Sequence, residues 1–247
     1  MERAPLPDSP AVPPVVYPDS DGQPMAENTE QYELIVLLKE NLDALFPDAF
    51  VAADLFWYPV EGHPEIRLAP DTLVALGRPK GPRSSYRTWE EGGIAPHVVF
   101  EIWSPSNTFG EQVKKLQFYE RYGVSEFYVF DPERSQLSAW VRSGGSLEVV
   151  STAEGFTSPA LRIRMSTRGR TLDVIGPDGQ RFLSPAELRT RAEAAQAQAE
   201  AAQAQAEAAQ AQAEAAQAQA EAAQAQAEAL RRERDALLAK LEAAGLA

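Results

Sequence analysis

The 247-residue chain has no cysteine and two histidines, His63 and His97. The first absence excludes a disulfide framework, a cysteine-built zinc site and a thiol nucleophile. The second argues against a histidine-built metal centre, and a Ser-His-Asp triad would have to use one of those two rings. No run of about 18 apolar residues occurs, so no transmembrane helix is expected. Basic residues are scarce: 23 Lys and Arg stand against 36 Asp and Glu, a net charge of −13. That balance argues against a broad basic surface for nucleic acid and leaves room only for a local groove. The N-terminus is acidic and proline-rich rather than basic then apolar, so no secretory signal and a cytoplasmic protein are expected.

What is present falls into three regions. Residues 1–27 carry Pro5, Pro7, Pro10, Pro13, Pro14, Pro18 and Pro24 and few large apolar residues. That composition predicts a flexible arm, with Asp19-Ser20-Asp21-Gly22 as a turn. Residues 28–183 alternate helical and strand patterns. Leu34, Leu37, Leu38, Leu42 and Leu45 recur at helical spacing and predict a helix over 29–45, stopped by Pro47. Strand-like runs follow at Phe50–Tyr58, Ile66–Leu76, His97–Trp103, Glu126–Phe130, Leu137–Arg142 and Leu147–Ser151. A helix over about 109–122 lies between the third and fourth. A further strand stretch, Leu161–Ile175, leads to the turn Gly176-Pro177-Asp178-Gly179 and to Arg181–Leu183. The order predicts an α/β domain with a mixed central sheet flanked by helices.

The third region, 184–247, differs in kind. From Ala192 the unit Ala-Glu-Ala-Ala-Gln-Ala-Gln repeats five times without error to Gln226. Ala, Glu and Gln are strong helix formers. Ser184, Pro185 and Glu187 supply the start, as N-cap, first helical residue and capping-box partner. A helix of about 60 residues, on the order of 90 Å if straight, is expected, with Gly245 as its stop. The seven-residue period offers a seam from Leu188 through Ala192, Ala195 and Ala199 to Leu230, Leu237 and Leu241. The seam is alanine in its middle, where little area can be buried. A dimerising coiled coil and a solitary solvated helix both fit it.

Position decides which acids carry chemistry. In His97–Trp103, Val98, Phe100 and Ile102 take one face and Val99, Glu101 and Trp103 the other. A strand apolar on both faces is central. A carboxylate within it is costly unless something pairs with it. Asp71 follows Pro70 at the start of another buried-strand pattern. Thr108 and Glu111 have capping-box spacing and open the second helix. On that helix Lys115 shares a face with Phe118, Tyr119 and Tyr122, while Lys114 leans to water. Lys115 could equally pair with Glu111 at i−4. Two strand carboxylates beside a helix lysine suit a hard divalent cation and phosphodiester hydrolysis. Arg78, Lys80, Arg83 and Arg87, with Tyr86 and Trp89, form a local basic run. It reads either as a contact to a nucleic-acid backbone or as a solvated loop.

These residues also resemble a known family. Pro70-Asp71, Phe100-Glu101-Ile-Trp-Ser-Pro-Ser106, Lys115-Leu-Gln-Phe-Tyr119 and Tyr122-Gly-Val-Ser-Glu-Phe-Tyr-Val-Phe-Asp-Pro132 are similar to the Uma2 family of restriction endonucleases with the PD-(D/E)xK core. The resemblance includes Tyr17-Pro-Asp-Ser-Asp-Gly-Gln-Pro-Met-Ala26, Asp54-Leu-Phe-Trp-Tyr-Pro-Val60 and Pro177-Asp-Gly-Gln-Arg-Phe182, and covers about residues 17–190. It implies a restriction-endonuclease-like αβββαβ core, with Asp71, Glu101 and the Ile102 carbonyl as metal ligands for Mg²⁺, or Mn²⁺ in its place. The motif's lysine ordinarily stands two residues after the second acid, where this chain has Trp103. Lysines that have migrated to the next helix map onto Lys115, giving a catalytic set of Asp71, Glu101 and Lys115. The resemblance also brings an acid from the first helix, Glu30 or Glu33, near the metal.

The expected function is therefore a magnesium-dependent endonuclease acting on DNA as a homodimer, with RNA as the less favoured substrate. The alternative is a catalytically silent nuclease fold that binds or assembles through its C-terminal helix.

Overall fold

The computed structural model describes residues 15–20, 22, 26 and 28–243, with side chains through Lys240. Most of the expected arm, Asp21 of the expected turn and the expected stop at Gly245 lie outside the described residues. The chain divides into two compact units, Met1–Glu187 and Leu188–Ala247.

In the first unit, helix α1 spans Thr29–Leu45. The Asn28 side chain caps it, accepting from Gln31 N at 2.8 Å. Its stripe of Gln31, Leu34, Ile35, Leu38 and Leu42 is buried. Six strands form the main sheet: β1 (Ala49–Ala52), β3 (Thr72–Leu76), β5 (Val98–Ile102), β6 (Glu126–Asp131), β7 (Gln136–Ser143) and β8 (Ser146–Val149). Their spatial order is β1-β3-β5-β6-β7-β8, and only β5–β6 is parallel. A parallel pair needs a crossover. Here it is helix α2 (Phe109–Arg121), closed at its start by the Thr108–Glu111 capping box. Gly123, at φ +94°, ends it in a conformation that an L side chain resists. The elements α1, β1, β3, β5, α2 and β6 make the expected αβββαβ order.

Both faces of the sheet are covered. Val98, Phe100 and Ile102 join the α1 stripe and the C-terminal strands in one apolar cluster. Val99, Tyr119 and Phe127 join Trp57 and Tyr86 in the other. Trp57 and Tyr119 stack with ring centroids 6.3 Å apart, and Phe118 meets Trp57 edge-on at 5.4 Å. Such pairs add about 0.5–1.5 kcal/mol each beyond area burial. α2 is thereby clamped to the face that carries Glu101.

Four expectations needed correction. The run Phe50–Tyr58 is not one strand. It breaks after β1 because Asp54 takes a left-handed φ of +47°, and Trp57–Tyr58 forms β2 of a separate parallel pair with β4 (Tyr86–Arg87). Of Ile66–Leu76 only β3 is strand, since Pro70 has no N–H for a ladder. Leu161–Ile175 is broken too. Arg162 sits at φ +59° and Gly169 at +59°, leaving a hairpin of β10 (Arg164–Arg168) and β11 (Thr171–Ile175), with β9 (Phe156–Thr157) on the far side of β10. The arm is also held in part: Tyr58 donates to the Pro18 carbonyl at 2.5 Å, and Tyr17 packs edge-on to Tyr58. The turn after β11 forms as expected, Gly176 N donating to Gln180 O at 2.8 Å.

Helix α3 runs Pro185–Ala243. Ser184 and Glu187 close its capping box at 2.7 and 3.3 Å. Within the second unit, Gln196, Gln203, Gln210 and Gln217 each donate to the glutamate four residues on, at 2.9–3.1 Å. Pairs at this spacing are worth a few tenths of a kcal/mol each.

Candidate active site

The register of two strands brings the acids together. β3 and β5 pair antiparallel with Thr72 opposite Phe100. Asp71, one residue before Thr72, therefore stands opposite Glu101. Asp71 Oδ2 accepts from the Ile102 backbone N–H at 2.6 Å, which pins its carboxylate to the end of β5. Glu101 is buried within β5. Its two oxygens have separate donors from α2, one turn apart: Lys115 Nζ at 2.7 Å and Tyr119 Oη at 2.5 Å. Lys115 and Tyr119 are spaced i and i+4, so one helix face presents both.

Lys115 thus pairs with Glu101 and not with Glu111, which caps its helix. Lys114 is exposed, as its helical phase requires. From α1 the residue that arrives is Gln31, whose Nε2 donates to the Ile102 carbonyl at 3.0 Å and whose amide also bonds Asp71. Glu30 instead pairs with Arg170, and Glu33 is exposed. The implied acid from the first helix is therefore replaced by an amide.

Electrostatics mark the spot. Burial, and then the charge of Glu101, push the Asp71 carboxyl up to about 8, against the opposing pull of Lys115. Burial would lower the Lys115 ammonium, but Glu101 and Asp71 outweigh it and hold it above its ordinary value. Burial and Glu101 raise the Tyr119 phenol well above its range, so it stays a donor. Were Asp71 to ionise as well, two carboxylates would face one ammonium, and a divalent cation would relieve that excess of negative charge. The donors, Asp71, Glu101 and the Ile102 carbonyl, are hard oxygens of the kind that Mg²⁺ and Mn²⁺ take with added waters. Among the described residues no cluster of three or more His, Asp or Glu converges. Two carboxyls and one main-chain carbonyl are the oxygen donors that the strands bring together here.

Gln31, Asp71, Glu101, Ile102 and Lys115 line a pocket of about 290 Å³ with Trp103, Ser104, Asn107 and Asp54 on its walls. Asp54 owes its place to the left-handed turn after β1. Sequence reasoning assigned no role to Gln31, Tyr119 or Asp54. Gln31 carries a readable signal, being the polar residue on the stripe of Leu34, Ile35 and Leu38. Tyr119 is readable too, as a hydroxyl on the inward face of Lys115. Asp54 has no local signal, because its position depends on a backbone break.

The basic run is neither a solvated loop nor a free phosphate-binding patch. Arg78 and Arg83 both hold the buried Glu91, at 3.0 and 2.6 Å. The Arg83 guanidinium lies 3.9 Å from the centre of the Phe50 ring. Lys80 pairs with Asp43 and Arg87 with Glu90. Burial works against the Glu91 carboxylate, and the Arg83 and Arg78 hydrogen bonds outweigh it, leaving the group below its ordinary value. Of the two histidines, His63 is exposed beside Glu65, and His97 accepts from Leu76 N at 3.1 Å.

Comparison with known proteins adds three findings. The model of the Uma2 family, described as "Putative restriction endonuclease", matches residues 21–173. A crystal structure described as "a putative nuclease" from Anabaena variabilis ATCC 29413 is 13% identical. The match has a TM-score of 0.40 and covers 55% of this chain and 75% of that one. No curated protein matches the chain.

Proposed function

Since the chain belongs to the Uma2 family of "Putative restriction endonuclease" proteins, we propose that it is a divalent-metal-dependent endonuclease hydrolysing DNA phosphodiester bonds. One observation carries this reading. Asp71 and Glu101 face each other across the β3–β5 ladder, and Lys115 reaches Glu101 from α2. In this reading Asp71, Glu101 and the Ile102 carbonyl hold Mg²⁺, with Mn²⁺ as a substitute. Bound there, the cation supplies an acidified water and neutralises charge on the scissile phosphate.

The chain's own residues do the rest. Lys115 brings a fixed positive charge to the side of the pocket where phosphate oxygens gather charge. Tyr119 and Gln31 hold Glu101, Asp71 and the Ile102 carbonyl in place, so that little reorganisation is needed when substrate arrives. No helix among the described residues is long and apolar enough to cross a membrane. Leu230 and Leu237 stand exposed at seam positions of α3, and on that account α3 is assigned the joining of two copies of the chain. Sedimentation equilibrium tests this: a dimer that dissociates in Leu237→Glu is expected, and a monomeric wild type contradicts it.

Calorimetric titration of Mg²⁺ and Mn²⁺ into the full chain tests the metal site. Binding that is lost in both Asp71→Ala and Glu101→Ala is expected. Wild-type protein that binds neither cation would move the weight to a silent nuclease fold working through α3.

A further inference from the structure

The hydrolytic reading leaves two aromatic residues unused, one on the wall of the pocket and one in the hollow beside it. Trp103 occupies the position two residues beyond Glu101. It lies between the pocket of Asp71 and Glu101 and a second hollow of about 340 Å³. The two hollows share Trp103, Asn107, Gln112 and Val129, so they adjoin. Phe109, the first residue of α2, lines the second hollow and is 77% exposed, the most exposed large apolar side chain among the described residues. A lone exposed apolar side chain is ordinary. Two rings lining one hollow, contiguous with a candidate hydrolytic pocket, are not.

The rest of the hollow is polar and uncharged on balance. The Gln112, Gln136 and Ser138 side chains line it without a hydrogen bond to another described residue. Asp131 and Arg134 pair with each other at 2.7 Å. The basic run near β3 is tied up by Glu91, Asp43 and Glu90. A chain of net charge −13 with its local cations so engaged gains little affinity from phosphates alone. Stacking on aromatic rings is the other main source of affinity for nucleic acid. It requires an exposed base face, which a duplex does not offer.

We propose that the hollow lined by Trp103 and Phe109 receives an unpaired nucleobase next to the scissile phosphate, making the preferred substrate single-stranded DNA. The proposal rests on Asp71, Glu101 and Lys115 being the hydrolytic site, since the hollow's place beside that pocket positions the base. The amide side chains of Gln112 and Gln136 meet the edge of the base, and the rings take its face.

The test is fluorescence anisotropy in EDTA at low salt. The full chain is titrated into a labelled single strand and into its duplex. Wild type is expected to bind the single strand on the order of tenfold more tightly than the duplex. Phe109→Ala should lose about tenfold on the single strand and nothing on the duplex, while Phe109→Tyr, which keeps the ring, should bind like wild type. Phe109 is so exposed that its truncation does not threaten folding. Equal binding of both substrates by wild type, or no loss in Phe109→Ala, overturns the proposal. A parallel cleavage assay in Mg²⁺ separates the two readings. Binding through Phe109 without cleavage overturns the hydrolytic reading alone. Cleavage of single strands with an unchanged KM in Phe109→Ala overturns the stacking reading alone.

Discussion

Replacing Lys115 with methionine should destabilise the first unit by an amount that the ion pair sets. Lys115 Nζ lies 2.7 Å from Glu101 Oε2, with the lysine side chain 30% exposed and the glutamate 6%. Methionine keeps most of the apolar stem and removes the charge. The buried Glu101 carboxylate is then left without its cation. Removing one partner of a buried pair costs about 3–5 kcal/mol. The partial exposure of Lys115 points to the lower end, about 3 kcal/mol. In a unit of this size each kcal/mol moves Tm by about 2–4 °C, so a drop of about 6–12 °C follows. Tryptophan fluorescence is the right probe, because Trp57, Trp89, Trp103 and Trp140 all lie in Met1–Glu187. Far-UV signal would be dominated by α3. In EDTA the full loss is expected. Glu101→Gln in the same background should restore part of it, because the stranded charge is gone. A Lys115→Met protein melting within about 2 °C of wild type would refute the premise that this pair holds the pocket together.

Other consequences follow from the same geometry. Tyr119→Phe removes one donor from a buried carboxylate and leaves the ring stack intact; a loss of about 1–3 kcal/mol in urea unfolding is expected, and an unchanged midpoint contradicts it. Glu91→Gln weakens the ties to Arg78 and Arg83 and should cost about 2–3 kcal/mol near neutral pH. Because the Glu91 carboxylate is held below its ordinary value, its contribution is present above the unfolded value and fades as pH falls toward the folded one. Urea midpoints of the variant and wild type should therefore converge in acid, and a constant gap would contradict this. Burial holds the His97 imidazole below its ordinary value. The unfolded ring takes a proton at about pH 6.5 and the folded ring resists it. Wild type should therefore lose stability relative to His97→Gln as pH falls through that value, and parallel pH profiles would contradict the assignment.

Much of this was legible in the residues. The leucine spacing fixed α1, since both its cap and its stop are local features. Thr108 and Glu111 announced α2 for the same reason. Glu101 stood out because a carboxylate in a run apolar on both faces demands a partner, and helical phase pointed to Lys115. The segments misread were those governed by backbone conformation or by distant pairing. Asp54 and Arg162 take left-handed dihedrals that no periodicity signals. β2 and β4 are two-residue strands whose ladder joins residues about thirty apart in sequence. The role of Arg78 and Arg83 depended on Glu91, and sequence alone does not say which acid a basic run will meet. Gln31 was passed over in favour of the neighbouring acids, although the buried stripe runs through it and not through Glu30 or Glu33.

The central claim is that Asp71, Glu101 and Lys115 hydrolyse phosphodiester bonds together with a divalent cation. The most direct measurement is cleavage of supercoiled plasmid and of single-stranded DNA by the full chain, in Mg²⁺, in Mn²⁺ and in EDTA. Asp71→Ala and Lys115→Ala are assayed beside wild type, after each is shown to be folded by tryptophan fluorescence. Metal-dependent cleavage by wild type, lost in both variants, is the expected result. Cleavage that survives in Asp71→Ala, or that proceeds undiminished in EDTA, would contradict the account.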